Sequence, residues 1–370
     1  MKRNLTPVYY GDYLQLDKIL GAQSLESTRY GETAHDEMLF IIVHQVYELW
    51  FKQVLHELNA VIDIFNQEEV KDQQLITVVH RLHRIIQIQQ LMNDQISVME
   101  TMTPQQFLAF RDYLVPASGF QSIQFKRLEI SLGLKREFRI DFDKQSFYNR
   151  LSEQDRALLE NLEKKPSLFE LIENWLARMP LLKRDQFDFW QHYKAATDTL
   201  LDNDKKTIYQ NDTLTEKEKQ QELRDWQSTR DNFDALFDAQ KYADLTEQGT
   251  FRLSQQAMLS ALFIKQYSEE PIFNLPFQLI TALTDIDEKL TIWRYRHAMM
   301  VQRMLGTKIG TGGSSGHHYL KKTTESNRIF VDFFNMATFL LPKEMLPELP
   351  ESIRRYLGFH KSVHQHTFIT

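Results

Sequence analysis

The sequence predicts an all-α fold, a large helical bundle around a pocket, with a charged helical hairpin protruding from it. Three observations carry that expectation. Residues 33–66 and 276–306 each step their apolar side chains by alternating fours and threes, the pattern of a long helix with one buried face. Each seam is interrupted by a single histidine, His44 in the first and His297 in the second. Between 183 and 245 the chain is instead rich in Asp, Glu, Lys and Gln with sparse aromatics, as in helices solvated on most sides.

Taken in order, Val8, Tyr9, Tyr10, Tyr13, Leu14 and Leu16 make a short apolar arm with too little apolar surface to fold alone. Thr33-Ala-His-Asp36 offers a capping-box start to a helix running to Asn66, with Phe40, His44, Tyr47, Phe51, Val54, Leu58, Val61 and Phe65 along one face. A second helix is expected over Lys71–Met102, with His80 and His83 towards its polar side. Thr103-Pro104-Gln105-Gln106 reads as N-cap, N1 proline and N3 glutamine of a shorter helix, on which Phe107 and Arg111 share a face. An arginine among Phe107, Phe110, Tyr113 and Leu114 is either a snorkelling surface residue or an anion clamp, and snorkelling is the commoner outcome.

Pro116 to Phe120 breaks the pattern before a helix expected over Gln121–Leu134. Phe138, Ile140, Phe142, Phe147 and Tyr148 are expected to pin the mixed segment 135–165, and Ser167–Arg178 is amphipathic. In the long helix that Pro276 opens and Gly306 closes, His297 is the only titratable residue of a seam formed by Leu279, Leu283, Ile286, Leu290, Trp293, Met300 and Met304. Four glycines follow in the hydroxyl-rich stretch Gly310–Gly316, and Arg328–Leu341 reads as an apolar helix packed on the long one. The chain is expected to be a single domain over 1–370, with an N-terminal arm at 1–32 and the excursion at 183–245.

Composition excludes several classes of function. With 370 residues, 42% hydrophobic, 25% charged and a net charge of −6, nothing favours nucleic acid or an anionic membrane as partner. The absence of cysteine removes disulfides, thiolate zinc sites, iron–sulfur clusters and a cysteine nucleophile. No apolar run is long enough to span a bilayer and the N-terminus lacks a signal-peptide core, so a cytoplasmic location is expected.

No Gly-x-Ser-x-Gly elbow and no His-Glu-x-x-His is present, and Glu-x-x-His occurs only at Glu32–His35, one short of a di-iron bundle. The Gly310–Gly316 stretch lacks the lysine of a phosphate loop and follows a helix instead of a strand. Haem survives this elimination, since it needs an axial imidazole, an apolar slot and a distal group. His297 with Trp293 and the methionines supplies the first two and Phe40 with His44 the third, although spacing alone leaves the ligand undecided. Arg111 and Thr311 would then be free to hold an amino acid, whereas a gas sensor would need no such clamp.

The chain resembles the tryptophan 2,3-dioxygenase family. The resemblance rests on Tyr10-Gly-Asp-Tyr13, on His35 through Lys52, on Phe107-Leu-Ala-Phe-Arg111 through Gln121, on Trp293-Arg-Tyr-Arg-His297 and on Gly310-Thr-Gly-Gly-Ser-Ser-Gly316, in family order over nearly the whole chain. It implies a helical enzyme with one haem b per subunit that opens the indole ring of L-tryptophan with O2. His297 matches the haem iron's ligand, with Trp293, Gly119 and Tyr319 beside the cofactor. His44 matches the distal catalytic histidine that contacts the indole N–H. Arg111 and Thr311 match the residues that hold the amino acid's carboxylate and ammonium groups. Phe40, Ile41, Ile42, Val43, Phe107 and Ser118 match the substrate pocket, Phe107 standing where some bacterial relatives carry Tyr. Tyr10 and Tyr13 match arm residues that complete a neighbour's pocket in a homotetramer, a dimer of dimers.

Overall fold

The structure is a computed structural model and describes residues 6–139, 147–148, 151–178, 183–184, 187–306, 308, 324 and 326–350. Its regular elements are almost entirely helical, the exception being a two-residue antiparallel pairing of Lys183–Arg184 with Phe187–Asp188. Two short helices, α1 (Tyr10–Leu14) and α2 (Leu16–Leu20), bury no residue. They are followed by α3 (Glu26–Arg29) and by α4 (Glu37–Phe65), the first long helix.

The start of α4 differs from the expected one at Thr33. The Thr33 hydroxyl turns to Thr28, 3.5 Å away, and Glu37 is drawn inward as a buried acceptor for the backbone N–H groups of Glu26 and Ser27. Those are orphan donors at the first turn of α3, so the acid caps its neighbour and α4 begins later.

The centre of the molecule is α5 (Asp72–Met99), which lies between α4 and the His297 helix. Its apolar seam, Leu75, Val78, Val79, Leu82, Ile85, Ile86, Ile88 and Met92, is buried throughout, and His80 and His83 lie on the exposed side as expected. Polar side chains lock it to both neighbours by reaching helix carbonyls. On the α4 side, Tyr47 Oη donates to the Met92 carbonyl at 2.8 Å and Gln95 to the Val43 carbonyl at 3.3 Å. On the other, Gln89 and Asn93 donate to the carbonyls of Ile286 and Lys289, and Arg296 donates to the carbonyl of Asn93.

Helix α6 (Pro104–Arg111) starts with the predicted capping box, Thr103 accepting from the Gln106 amide and Gln106 reaching back. A turn through Ser118 and Gly119 leads to α7 (Ile123–Leu132), capped by Ser122. Next come α8 (Glu153–Glu163) and α9 (Leu168–Ala177), the latter opened by a Ser167/Glu170 box. The charged excursion forms α10 (Phe189–Gln210) and α11 (Glu216–Ala235). Phe189, Trp190, Tyr193 and Leu201 at its base are buried, whereas no residue between 202 and 225 is. The helices pair through Trp226, whose Nε1 donates to the Leu201 carbonyl at 2.8 Å.

After α12 (Ala239–Glu247) and α13 (Gln255–Gln266), helix α14 (Asn274–Leu305) carries Pro276 in its first turn. It stops at Gly306, whose φ of +59° glycine tolerates without a Cβ clash. The apolar stretch at 328–341 is not the single helix its composition suggests. It forms α15 (Val331–Asn335) and a 3-10 turn over Met336–Phe339. Buried carboxylates tie it down from both directions, Asp287 of α14 accepting from its Ile329 and Phe330 amides, and its own Asp332 accepting from the Arg252 and Leu253 amides ahead of α13. A segment anchored by side chains from other helices needs no long helix of its own, and Ile329, Phe330, Phe333, Met336 and Phe339 are buried all round it.

Glu57 of α4 shows how charge is handled at this core's edge. Burial alone would push its carboxyl up, but hydrogen bonds from Arg84 and Arg81, at 2.8 and 2.7 Å, hold it below its usual value. A carboxylate with a depressed folded pKa stabilises the fold above the unfolded pKa of about 4.3 and loses that contribution as pH falls through the folded value. Glu57→Gln should therefore lower unfolding free energy at pH 7 by about 1–2 kcal/mol, the low end for a buried pair because both arginines are partly solvated. In denaturant titrations the gap between the two proteins should close in acid. A gap independent of pH would mean that Glu57 contributes through packing alone.

Candidate active site

Helix α4 presents Phe40, Val43, His44 and Tyr47 on one side of an internal cavity of about 270 Å³, and α14 presents Trp293, His297, Met300 and Met304 on the other. Ile96 and Met99 of α5 contribute to its lining between them. Both seam histidines thus face one space, which follows from the two seams flanking the same central helix.

The orientation of His44 is fixed locally. Its Nδ1 lies 2.7 Å from the Phe40 carbonyl, one helical turn back, and a carbonyl can only accept. Nδ1 therefore carries the proton, and Nε2 of the neutral ring keeps a lone pair. The ring keeps accessible surface where it lines the cavity, and the protein packed around it lowers its pKa by desolvation, against the Phe40 bond and the Glu48 charge, which raise it. Phe40 lies against the imidazole with ring centroids 4.2 Å apart, and Phe107 and Phe110 of α6 pack on Phe40 at 5.7 and 5.5 Å.

Burial lowers the His297 pKa to about 4, with a smaller contribution from His44 across the cavity. Its Nδ1 is buried and meets no hydrogen-bond partner among the described residues. The ring stacks on Trp293, centroids 5.3 Å apart and planes 13° from parallel. Trp293 is held in turn by Phe125 at 5.1 Å, Tyr47 at 6.0 Å and Phe51 at 6.2 Å. A neutral imidazole on a wall of aromatic and methionine side chains fits a flat apolar cofactor with one axial position, such as haem.

The cavity lining also carries polar side chains, those of Ser118, Ser122, Lys126, Glu129, Arg294 and Asn327. Glu129 and Arg294 form a buried ion pair at 2.7 Å, and Arg294 also donates to the Asn327 carbonyl at 3.0 Å.

Of the residues singled out in the sequence, the fold brings Phe40, Val43, His44, Phe107, Ser118, Gly119, Trp293 and His297 onto this cavity. Ile41 and Ile42 point elsewhere on α4, and Ile42 is exposed. Arg111 lies one turn beyond Phe107 with its side chain 15% exposed, but it is not part of the single-chain cavity wall. Tyr10 and Tyr13 stand out from the arm, 75% and 74% exposed. Thr311 and Tyr319 lie outside the described residues, as do the Gly310–Gly316 stretch, Ile140, Phe142 and the tail histidines His364 and His366.

Sequence reasoning missed Glu48, Phe125, Lys126, Glu129 and Arg294. The one available signal was the acid at Glu129 between Leu128 and Ile130, a charge in an apolar run that demands a buried partner.

The comparisons with known proteins agree with one another. A sequence model of the family described as Tryptophan 2,3-dioxygenase matches residues 2–340. A curated protein of that name from Alteromonas mediterranea is 78% identical over 360 residues, covering 97% of this chain and 99% of the relative. Similar proteins, also named tryptophan 2,3-dioxygenase, occur in Bdellovibrio bacteriovorus, 47% identical over 96% of this chain and 99% of the relative, and in Dictyostelium discoideum, 45% identical over 96% and 89%.

If enclosure by protein sets the protonation of these rings, NMR titration of histidine-labelled protein prepared without cofactor should show His297 protonating only near pH 4, and His44 below the ordinary value of 6.5. Assignment by His297→Phe and His44→Phe spectra identifies the two signals. Midpoints at 6.5 for both would mean that water fills the cavity and desolvation is not the controlling effect.

Proposed function

The chain belongs to the tryptophan 2,3-dioxygenase family, and from that premise we propose how its residues divide the work. The activity is a haem-dependent oxidation that opens the indole ring of L-tryptophan with both atoms of O2 to give N-formylkynurenine, the first step of the kynurenine route of tryptophan breakdown. Haem, when bound, supplies the iron at which O2 is activated. The observation that carries the residue assignment is the pair of neutral imidazoles facing one cavity, one stacked on Trp293 in an apolar wall and one beside a phenylalanine cluster.

His297 holds the iron of haem b, because an imidazole that burial keeps unprotonated to about pH 4 offers its lone pair at neutral pH. Trp293, Gly119 and Tyr319 border the cofactor, one per subunit. His44 works on the substrate. With Nδ1–H engaged by the Phe40 carbonyl, Nε2 can only accept, and the group that matches it is the indole N–H. The product retains an N–H on the same nitrogen, so the reaction needs that proton held and not removed. His44 therefore orients the ring, and its loss slows turnover without abolishing it. Phe40, Val43, Phe107 and Ser118 shape the indole pocket, and Arg111 with Thr311 grips the carboxylate and ammonium groups. The planar guanidinium of Arg111 suits a carboxylate in a way that lysine does not.

Tyr10 and Tyr13 complete the pocket of a neighbouring subunit in a homotetramer, a dimer of dimers. An arm with Val8, Tyr9, Tyr10, Tyr13 and Leu20 all more than half exposed is an apolar surface that a partner would cover. The chain works as one domain over 1–370, with the arm at 1–32 and the excursion at 183–245, in the cytoplasm. No helix among the described residues is long and apolar enough to cross a membrane.

Arg111→Leu should raise KM for L-tryptophan strongly, while oxidation of tryptamine, which lacks the carboxylate, changes little. Equal losses with both substrates would show that Arg111 is structural. His44→Ala should slow product formation about 10–100-fold, as expected for one hydrogen bond worth roughly 1–3 kcal/mol. Abolished turnover with haem retained would give His44 a proton-transfer role instead.

Arm exchange can be tested by co-expressing two inactive variants, one lacking residues 1–16 and one carrying His297→Ala. Activity should return in hybrids, where a haem-bearing subunit receives an intact arm from its neighbour. Hybrids that assemble and stay inactive would mean that each arm serves its own subunit.

A further inference from the structure

Helix α7 touches both histidine-bearing helices, and it does so through a different polar side chain for each. Gln124 Nε2 donates to the backbone carbonyl of Glu48 and to its carboxylate, both at 2.8 Å. Glu48 sits on α4 one turn beyond His44. Five residues further along α7, Glu129 takes the Arg294 guanidinium at 2.7 Å, and Arg294 sits on α14 one turn before His297. Five residues on a helix correspond to about 140° of rotation, so the two side chains leave α7 towards different neighbours. Between them Phe125 wedges its ring against Phe51 of α4 at 5.4 Å and Trp293 of α14 at 5.1 Å.

From this arrangement we propose that Gln124 and Glu129 are positioning residues, through which α7 acts as a strut that sets how far apart His44 and His297 stand and how each ring faces the cavity. The inference rests on the proposed assignment of His297 to the haem iron and of His44 to the substrate, and adds what holds the two in place.

Generic packing does not require these two contacts. A mid-helix carbonyl such as that of Glu48 already has its helical partner, so the bond from Gln124 uses its second lone pair and ties α7 to the backbone itself, not to a rotatable side chain. The Glu129–Arg294 pair is almost wholly buried, the side chains 7% and 3% exposed, so neither group can swing into water and Arg294 fixes the rotation of α14 about its own axis. The Ser118–Gly119 turn that lines the cavity lies just ahead of α7 in the chain, so its position is coupled to that of the strut. Groups that orient a metal ligand without binding the metal themselves commonly change metal affinity about 10–100-fold when removed.

The two ends of the strut predict different defects. In the holoenzyme, Glu129→Gln leaves Arg294 buried without its counter-charge and disturbs the His297 side. It should speed haem transfer to excess apomyoglobin about tenfold or more and shift the ferrous iron–histidine stretch in resonance Raman spectra. Gln124→Met keeps side-chain length, removes both bonds to Glu48 and disturbs the His44 side. It should change KM for L-tryptophan and the kcat, with haem transfer and the stretch as in wild type. Should Glu129→Gln fail to fold, Glu129→Asp keeps the charge on a shorter stem and should show the same spectroscopic shift in weaker form.

Variants that lower Tm but leave haem transfer, stretch and kinetics at wild-type values would reduce α7 to a structural brace and overturn the proposal. So would identical changes from both ends. A His297→Ala protein that keeps a wild-type haem spectrum would instead overturn the ligand assignment on which the inference rests, a result distinct from either of these.

Discussion

Everything at this site depends on two imidazoles whose protein surroundings disfavour a positive charge. Desolvation disfavours the charged form of each, so His297 stays neutral to about pH 4 and His44 below its ordinary range. Only a neutral imidazole has a lone pair to give, whether to an iron or to an indole N–H. The Phe40 carbonyl occupies Nδ1 of His44 and settles which nitrogen that is. The phenylalanines, methionines and Trp293 around the cavity are thus more than filler, because their low polarity sets the protonation of the groups they surround.

Such a cavity has to be held open by groups at its edges. A space between packed helices tends to collapse unless the helices are fixed from elsewhere, and here α5 does so by donating side-chain hydrogen bonds into carbonyls of both α14 and α4 while its Met92 carbonyl takes one from Tyr47 of α4. Buried carboxylates perform the same service where the backbone is irregular. Asp287 and Asp332 satisfy amides that would otherwise be orphaned, and Asp287 ties the chain after the Gly310–Gly316 stretch to the same helix that carries His297. Burial pushes both carboxyls up, so the bonds they accept offset part of the cost of their charge.

Two regions lie apart from that economy. The arm exposes Tyr10 and Tyr13, and the distal half of the α10–α11 pair buries nothing. The arm is apolar, which makes it a contact surface in the proposed tetramer. The hairpin is charged throughout its exposed half and held together at its base by Trp226 and the Arg230 pairs with Asp198 and Asp202. Surface of that composition remains solvated without a partner.

Sequence by itself determined the elements and their buried faces. The helical seams with a histidine in each, the Thr103 capping box and the stop at Gly306 all follow from local rules, since periodicity and capping act within one helix. Only the tertiary structure decided what depends on contacts between helices remote in the chain. It moved the start of α4 past Thr33 because Glu37 was needed to cap α3, and it shortened the apolar stretch at 328–341 because Asp287, far upstream, took its amides. It also chose Gln124, Phe125, Glu129 and Arg294 as the residues that join α7 to its neighbours. The physical reason is that a side chain's partner is set by the rotation and register of two helices together, and no spacing within one chain segment encodes both.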